Sequence, residues 1–224
     1  MRQGSMMAPL RVLFVHGLES GPQGRKSRAL REAGFDVVAE AMPCSQRSML
    51  RDPFTLGLFA FATLAMILGM QMGWRGALGT ALLVAVAAPT GLRVVIRRAF
   101  RRSVLVQERA LREHAIDVVL GSSYGGAVAL ELLRKGTWKG PTVLLCPAHR
   151  LVAERARLPF VAFVLGADVC IVHGTKDTTV PIAHSRALVA NSAATLLEVD
   201  DDHRLNQSAT PTKLAEWIAL AMGR

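Results

Sequence analysis

Asp117 to Leu130 reads DVVLGSSYGGAVAL, and this stretch decides the fold. It opens on an apolar, β-branched run, Val118-Val119-Leu120. A sharp turn follows through Gly121-Ser122-Ser123-Tyr124-Gly125, and then a helix-forming run from Ala127 to Arg134. Strand, tight turn and helix, with G-x-S-x-G on the turn, read together as a nucleophile elbow. The central serine has to sit on strained backbone so that its hydroxyl projects from the sheet edge. Gly121 and Gly125 carry no Cβ, which lets strand and helix approach closely around it. Ser123 is therefore the candidate nucleophile, while Ser122 is one place early and points elsewhere. Glycine and serine also mark ordinary turns, so the flanking strand and helix give the motif its weight.

Working outward, the chain alternates short apolar strands with helices. Leu10–Val15 is a buried strand ending in His16-Gly17-Leu18-Glu19-Ser20-Gly21-Pro22. Lys26–Ala33 is helical and closed by Gly34. Phe35–Ala41 is a second strand and Val104–His114 a helix before the elbow strand. Pro141–Cys146 and Val169–His173 are further strands, with a connection between them that is helical in LVAERARL and apolar in PFVAFVLG. Ile182–Ala190 is a helix, Thr195–Val199 a short strand, and Thr210–Met222 a closing amphipathic helix. This alternation predicts an α/β fold: a mainly parallel sheet of about six strands with helices on both faces.

At 224 residues the chain suits one such domain. Hydrophobic residues make up 51% and charged residues 20%, more apolar than an ordinary soluble domain. Cys44, Cys146 and Cys170 are widely spaced in or beside apolar runs, and read as buried thiols of a reducing compartment, without metal spacing or a disulfide framework. The first residues, MRQGSMMAPL, hold no apolar run of signal-peptide length, so a cytoplasmic start is expected.

In a parallel sheet, ligands collect at the carboxyl ends of the strands. His16-Gly17 follows the first strand, and Ser123 the elbow strand. VCIVHGTKDTTVP sets Asp177 four residues past its strand, and VDDDHRL sets His203 in the loop after the last one. The order Ser, Asp, His is that of a hydrolase triad. A neutral serine needs an imidazole to take its proton, and a carboxylate to fix that imidazole's tautomer. Each residue also has a plainer reading. Asp177 caps a turn before Val180-Pro181, His203 is a surface histidine, and Asp200–Asp202 form a charge run of which two, read as Asp200 and Asp201, are solvated. His16 and His173 brace loops; His114, His149 and His184 have no motif around them. Lys26 and Arg28 either form a solvated helix face or meet an anionic substrate.

HGLESGP, GSSYGG, HGTKDTTVP and DDDHRL, in this order, resemble the α/β-hydrolase superfamily, and are similar to its small bacterial esterase-like members without a large cap. The resemblance spans residues 10 to 222 apart from about 45 to 102. It implies Ser123 as nucleophile, Asp177 as acid and His203 as base, with the Leu18 and Tyr124 backbone N–H groups as oxyanion hole. It does not identify a substrate. No cofactor and no metal are expected, and a small-molecule acyl ester or thioester with an apolar tail is the substrate suggested by the apolar insertion, which would hold the catalytic mouth near lipid headgroups.

Residues 45–102 form an insertion between the two parts of the hydrolase domain, 1–44 and 103–224. Pro53–Trp74 holds 22 residues without a charge, and Gly76–Leu92 another 17. As helices they reach roughly 33 and 26 Å, against a bilayer core of about 30 Å. Ala65, Gly69 and Gly73 on the first, and Ala77, Ala81 and Ala85 on the second, recur at the spacing that lets helices pack closely in lipid. Between Ser45 and Arg102 lie eight arginines and one acid, Asp52, so most of the formal charge of +10 sits here. No nucleic-acid motif accompanies it, so a nucleic-acid partner is not expected. Arg47, Arg51, Arg97, Arg98, Arg101 and Arg102 cluster at the open end of the hairpin, with Arg75 at its tip. The positive-inside rule then predicts an inner-membrane hairpin, contacting lipid through residues 53–96, with the catalytic domain in the cytoplasm. The alternatives are an apolar lid on a soluble, cytoplasmic enzyme, a hairpin lying in the membrane interface, or a catalytically inactive fold used as a membrane-tethered binding or scaffold protein.

Overall fold

The six short apolar runs read as strands form one sheet. In chain order these are β1 (Arg11–Val15), β2 (Asp36–Val38), β3 (Val118–Ser122), β4 (Thr142–Leu145), β5 (Val169–Gly174) and β6 (Thr195–Val199). In this computed structural model, which describes residues 8–18, 20–158 and 164–224, the order is β2-β1-β3-β4-β5-β6 and every pairing is parallel. β3, β4 and β5 are buried along their whole length, as expected of parallel strands covered on both faces. Val15 pairs with Gly121, and Ser122 with Leu145. The carboxyl ends of β1, β3 and β4 are therefore level, and the loops after them share one rim.

Helices α1 (Arg25–Glu32) and α8 (Pro211–Ala221) cover one face, packing Leu30, Leu214 and Trp217 on Phe14, Leu120 and Leu145. The other face carries α5 (Tyr124–Lys135), α6 (His149–Ala156) and the last part of α4 (Gly73–Glu113), with Phe100, Val104 and Val128 against Val15, Val119 and Leu144. Helix α7 (Ala183–Val189) connects β5 to β6. The chain passes from β1 outward to β2 and then returns to the far side of β1 as β3. That reversal makes a crevice between the ends of β1 and β3, the usual ligand position in such a sheet.

The insertion begins with α2 (Gln46–Leu50) and continues as α3 (Pro53–Gln71) and α4. Both α3 and the first part of α4 are long and apolar enough to cross a membrane, with mean hydropathies of 1.9 and 1.8. Phe61, Met70, Trp74, Leu82 and Val86 are exposed rather than folded onto the sheet. The two arms meet at small residues. A Cβ on Gly76 would lie 2.5 Å from the Gly69 carbonyl oxygen, and one on Gly91 would lie 2.6 Å from Leu58 Cδ2. Three readings of the sequence change here. Ala81 and Ala85 are exposed; the less exposed stripe lies one residue earlier at the same four-residue spacing, at Gly76, Thr80 and Val84, with Gly76 and Thr80 against Gly69. The helix expected at Val104–His114 is the end of one continuous helix of 41 residues, because RRAFRRS between the two parts contains no breaker. Pro89 is accommodated within it. The second strand stops at Val38, short of Ala41. The expectations for residues 1–7 and for Pro159–Phe163 of the apolar patch lie outside the described residues.

Gly125 fixes how closely α5 approaches β1. A Cβ there would fall on the carbonyl oxygens of Val15 and His16, the latter at 2.6 Å. Both are backbone atoms at a strand end and cannot rotate aside. Gly125→Ala should therefore cost about 1–3 kcal/mol or more, read as a lowered urea midpoint with unchanged slope.

Candidate functional site

Ser123 is the hinge between β3 and α5. Its backbone has φ 54° and ψ −114°, a region L residues rarely adopt, at a cost on the order of 1–3 kcal/mol. The surroundings enforce it: Ser123 N–H donates to Leu145 O at 2.8 Å, and its carbonyl accepts from Ala127 N–H and Ala148 N–H. The strain sets the side chain on the rim, at the positive end of the α5 dipole. Gly17, after β1, lies against it; a Cβ there would be 3.4 Å from both Ser123 Cβ and Ser122 O. Leu18 is thus in the loop that abuts the elbow and is 41% exposed. Tyr124 opens α5, so its N–H is among the helix's unpaired first-turn donors. The Tyr124 side chain turns inward, its hydroxyl 3.1 Å from Ser103 Oγ on α4 and its ring edge-on to Phe100.

The Ser123 hydroxyl donates to His203 Nε2 at 2.9 Å, and His203 Nδ1–H donates to Asp177 Oδ2 at 2.7 Å. Residues 80 and 26 positions apart in sequence are brought into one chain of hydrogen bonds. Asp177 has a side-chain exposure of 0%. Burial opposes its charge, but donors from His173, His203 and the Val180 N–H outweigh it and hold the carboxyl well below the usual carboxylate range. Its other oxygen, Oδ1, accepts the Thr179 and Val180 N–H groups, each at 2.8 Å. Asp177 thus both organises the turn before Pro181 and meets the imidazole. A hydroxyl held in this way can pass its proton to the ring as its oxygen attacks an electrophile, while the carboxylate stabilises the imidazolium.

The loop carrying His203 is braced from two sides. Asp201 was expected to be solvated; it is instead buried at 5% exposure. It accepts the N–H groups of Asp202, Gln207 and Ser208, which fold the loop back on itself. Asp200 and Asp202 are the exposed members of the run, and Asp200 pairs with Lys176 at 2.8 Å. From α1, Lys26 Nζ donates to Arg204 O at 2.8 Å and Arg25 to Asn206 Oδ1 at 2.8 Å. Lys26 is a clasp on this loop rather than a solvated face, and burial lowers its ammonium's pKa. Arg28 donates to Gln23 O at 3.3 Å.

His16 braces its loop, donating from Nδ1 to Gly17 O at 2.8 Å and accepting Met42 N–H on Nε2 at 3.2 Å. His149 and His184, which no motif singled out, lie together with ring centroids 6.3 Å apart. Burial lowers the His149 ring to about 4. Cys146, His173 and Asp177 bring three potential metal ligands within 4.8 Å of one another. They do not fit a metal: burial, reinforced by the Asp177 carboxylate, pushes the Cys146 thiol up to about 12, and His173 is engaged through both ring nitrogens.

Asp177 and Asp201 both have carboxyls held below their unfolded value of about 3.9. Their contribution to stability is therefore complete above that value and is lost as pH falls toward the folded pKa. Asp201→Asn should lower stability by about 1–3 kcal/mol at pH 7, since its amide would face three N–H donors. Urea midpoints measured from pH 6 down to 2 should fall less steeply in this variant than in the parent.

No family model matches the chain, and no curated protein matches it in sequence. Solved structures do. A protein of Xanthomonas campestris pv. campestris, described as a hydrolase of the alpha/beta superfamily, is 23% identical with a TM-score of 0.52, the match covering 94% of this chain and 95% of that one. A protein of Agrobacterium vitis S4, described as a hydrolase, is 16% identical with a TM-score of 0.52, covering 96% and 93%. At these identities the likeness speaks to architecture. It agrees with the parallel six-stranded sheet and its helices, and on that ground the chain has the α/β-hydrolase fold, with two long apolar helices between β2 and β3.

Proposed function

We propose that the protein is a serine hydrolase that cleaves an acyl ester or thioester through an acyl-enzyme. Ser123 is the nucleophile, His203 the general base and Asp177 the carboxylate that orients it. The observation that carries this reading is the unbroken path from Ser123 Oγ through both nitrogens of His203 to a buried, ionised Asp177. Ser123 Oγ attacks the acyl carbon while His203 Nε2 takes its proton. The oxyanion lies against the Tyr124 and Leu18 N–H groups. His203 returns the proton to the departing alcohol or thiol, and water, activated by the same ring, then releases the acid.

The enzyme is held at a membrane by residues 53–96, with the hydrolase domain on the arginine-rich, cytoplasmic side. The exposure of apolar side chains along both arms supports this over a lid, whose apolar face would be folded over the rim. Arginine placement supports it further. Arg97 bonds the Ala156 and Arg157 carbonyls, Arg98 stacks 4.6 Å over the Phe54 ring, and Arg102 pairs with Asp52, all at the base of the hairpin. A mouth held at headgroup depth suits substrates with apolar tails.

Fluorophosphonate labelling tests the chemistry. The parent should label and hydrolyse a short nitrophenyl ester; Ser123→Ala should do neither beyond a residual rate, and Ser122→Ala should do both. Asp177→Asn should cut kcat by roughly 10³–10⁴, because the ring loses its tautomer. An unlabelled parent points to the inactive scaffold, and a labelled Ser123→Ala sinks the assignment.

Fractionation tests the anchor. The full chain expressed in bacteria should sediment with membranes and resist high salt and carbonate. A cysteine replacing Trp74 should react with an impermeant thiol reagent from the periplasm, and one replacing Arg101 should not. Recovery in the soluble fraction would favour the lid.

A further inference from the structure

His173 was read from sequence as a loop brace, but it stands beside the carboxylate on which the proposed chemistry depends. Its side chain is fully buried, as is that of Asp177, and its Nε2 lies 3.2 Å from Asp177 Oδ2. That is the same oxygen that takes the His203 Nδ1–H at 2.7 Å. The ring's other partners fix its tautomer. Val180 O, at 2.9 Å from Nε2, is an acceptor only, so Nε2 carries the proton. Nδ1 is then an acceptor, and the Ser185 hydroxyl donates to it at 2.7 Å. The Nε2–H is hydrogen-bonded to the Val180 carbonyl, and the same Nε2 lies 3.2 Å from Asp177 Oδ2, close enough for its N–H dipole to act on the carboxylate.

We propose that His173, locked by Ser185, is a positioning residue for the proton transfer: it holds Asp177 Oδ2 toward His203 and offsets part of the carboxylate's charge, which sets how strongly His203 holds a proton. This inference rests on the serine-hydrolase reading of the site. The physical need is clear from the surroundings. A buried carboxylate whose second oxygen met one imidazole alone would bind the imidazolium tightly and be slow to let the proton go on to the leaving group. A second N–H dipole beside that oxygen weakens the grip. The titratable groups that face His173 are Cys146 after β4, Asp177 and His203 in the rim loops, His149 at the start of α6, His184 on α7 and Glu198 on β6. Glu198 is held by Arg186 at 2.7 Å, and the Cys146 thiol is neutral, so Asp177 is the charge that the Nε2–H answers.

The test uses the full chain in detergent and two readouts. One is the pH profile of kcat/KM on a short nitrophenyl ester. The other is the low-field proton resonance of His203 Nδ1–H, followed against pH, which needs no turnover. His173→Phe removes the donor; His173→Gln keeps an N–H near the Nε2 position; Ser185→Ala releases the tautomer without touching Asp177. His173→Phe should lower kcat at least about tenfold with KM little changed. It should also move the acid limb, and the midpoint of the Nδ1–H resonance, up by roughly half a unit or more, because an uncompensated carboxylate favours the imidazolium. Ser185→Ala should move both the same way by less, and His173→Gln should restore the parent's values. A merely structural role would lower the melting temperature and leave both midpoints in place. An unchanged midpoint in folded His173→Phe overturns the inference, and if that variant does not fold, an unchanged midpoint in Ser185→Ala does so. If the parent neither labels nor turns over, the hydrolase reading fails; the resonance midpoints still report whether His173 controls the Asp177–His203 pair.

Discussion

The close approach of α5 to the end of β1 is the constraint on which the rest of the molecule depends. It requires Gly125 against the Val15 and His16 carbonyls, and Gly121 beneath the start of the helix, where a Cβ would lie 2.7 Å from Gly125 O. Only with that spacing does Ser123 take a positive φ and stand on the rim. The strain is held by ordinary parts: buried parallel strands on either side, a hydrogen bond to the Leu145 carbonyl, and hydrogen bonds from the Ala127 and Ala148 N–H groups. The sheet thus does two things with one set of interactions. It stabilises the core, and it fixes one hydroxyl against a partner 80 residues away.

The rim is equally a matter of loops that are folded before they are reactive. Asp177 ties its turn through Oδ1 and meets His203 through Oδ2. Asp201 ties the next loop, whose backbone presses so closely on Gly174 that a Cβ there would strike the Asp201 and Asp202 carbonyls. Lys26 and Arg25 reach over from α1 to hold the same loop. Two carboxylates therefore satisfy turn donors, and one of them also orients a ring. Local folding and geometry at Ser123 cannot be separated at these positions.

Much of this was legible in the sequence. Short apolar, β-branched runs between turn residues marked the six strands, most plainly β3, β4 and β5, which are buried throughout, and the elbow announced itself by G-x-S-x-G between a strand and a helix. Asp177 and His203 stood out by following strands at the proper end of the sheet. Other features were hidden for physical reasons. Asp200, Asp201 and Asp202 are identical in composition, and only the path of the loop decides that one is exposed and the next buried. His173 shares its strand with apolar neighbours, and its approach to Asp177 depends on how the turn after β5 folds back. The union of the hairpin's second arm with the helix before β3 was missed because a cluster of arginines looks like a boundary, although arginine is a good helix former.

That union has a geometric consequence. α4 runs for 41 residues, about 60 Å, with Trp74 near one end and Ser103, in contact with Tyr124, well along its length. A helix is a screw that advances about 100° per residue. The compass direction in which the Ser123 rim faces, measured around the axis of the apolar arm, is therefore set by the count of residues between arm and elbow. One residue added between Arg93 and Ser103 would swing the rim by more than a quarter turn, whereas seven would bring it nearly back to its original bearing. Facing is thus encoded as spacing, in a stretch whose individual side chains have no part in the chemistry.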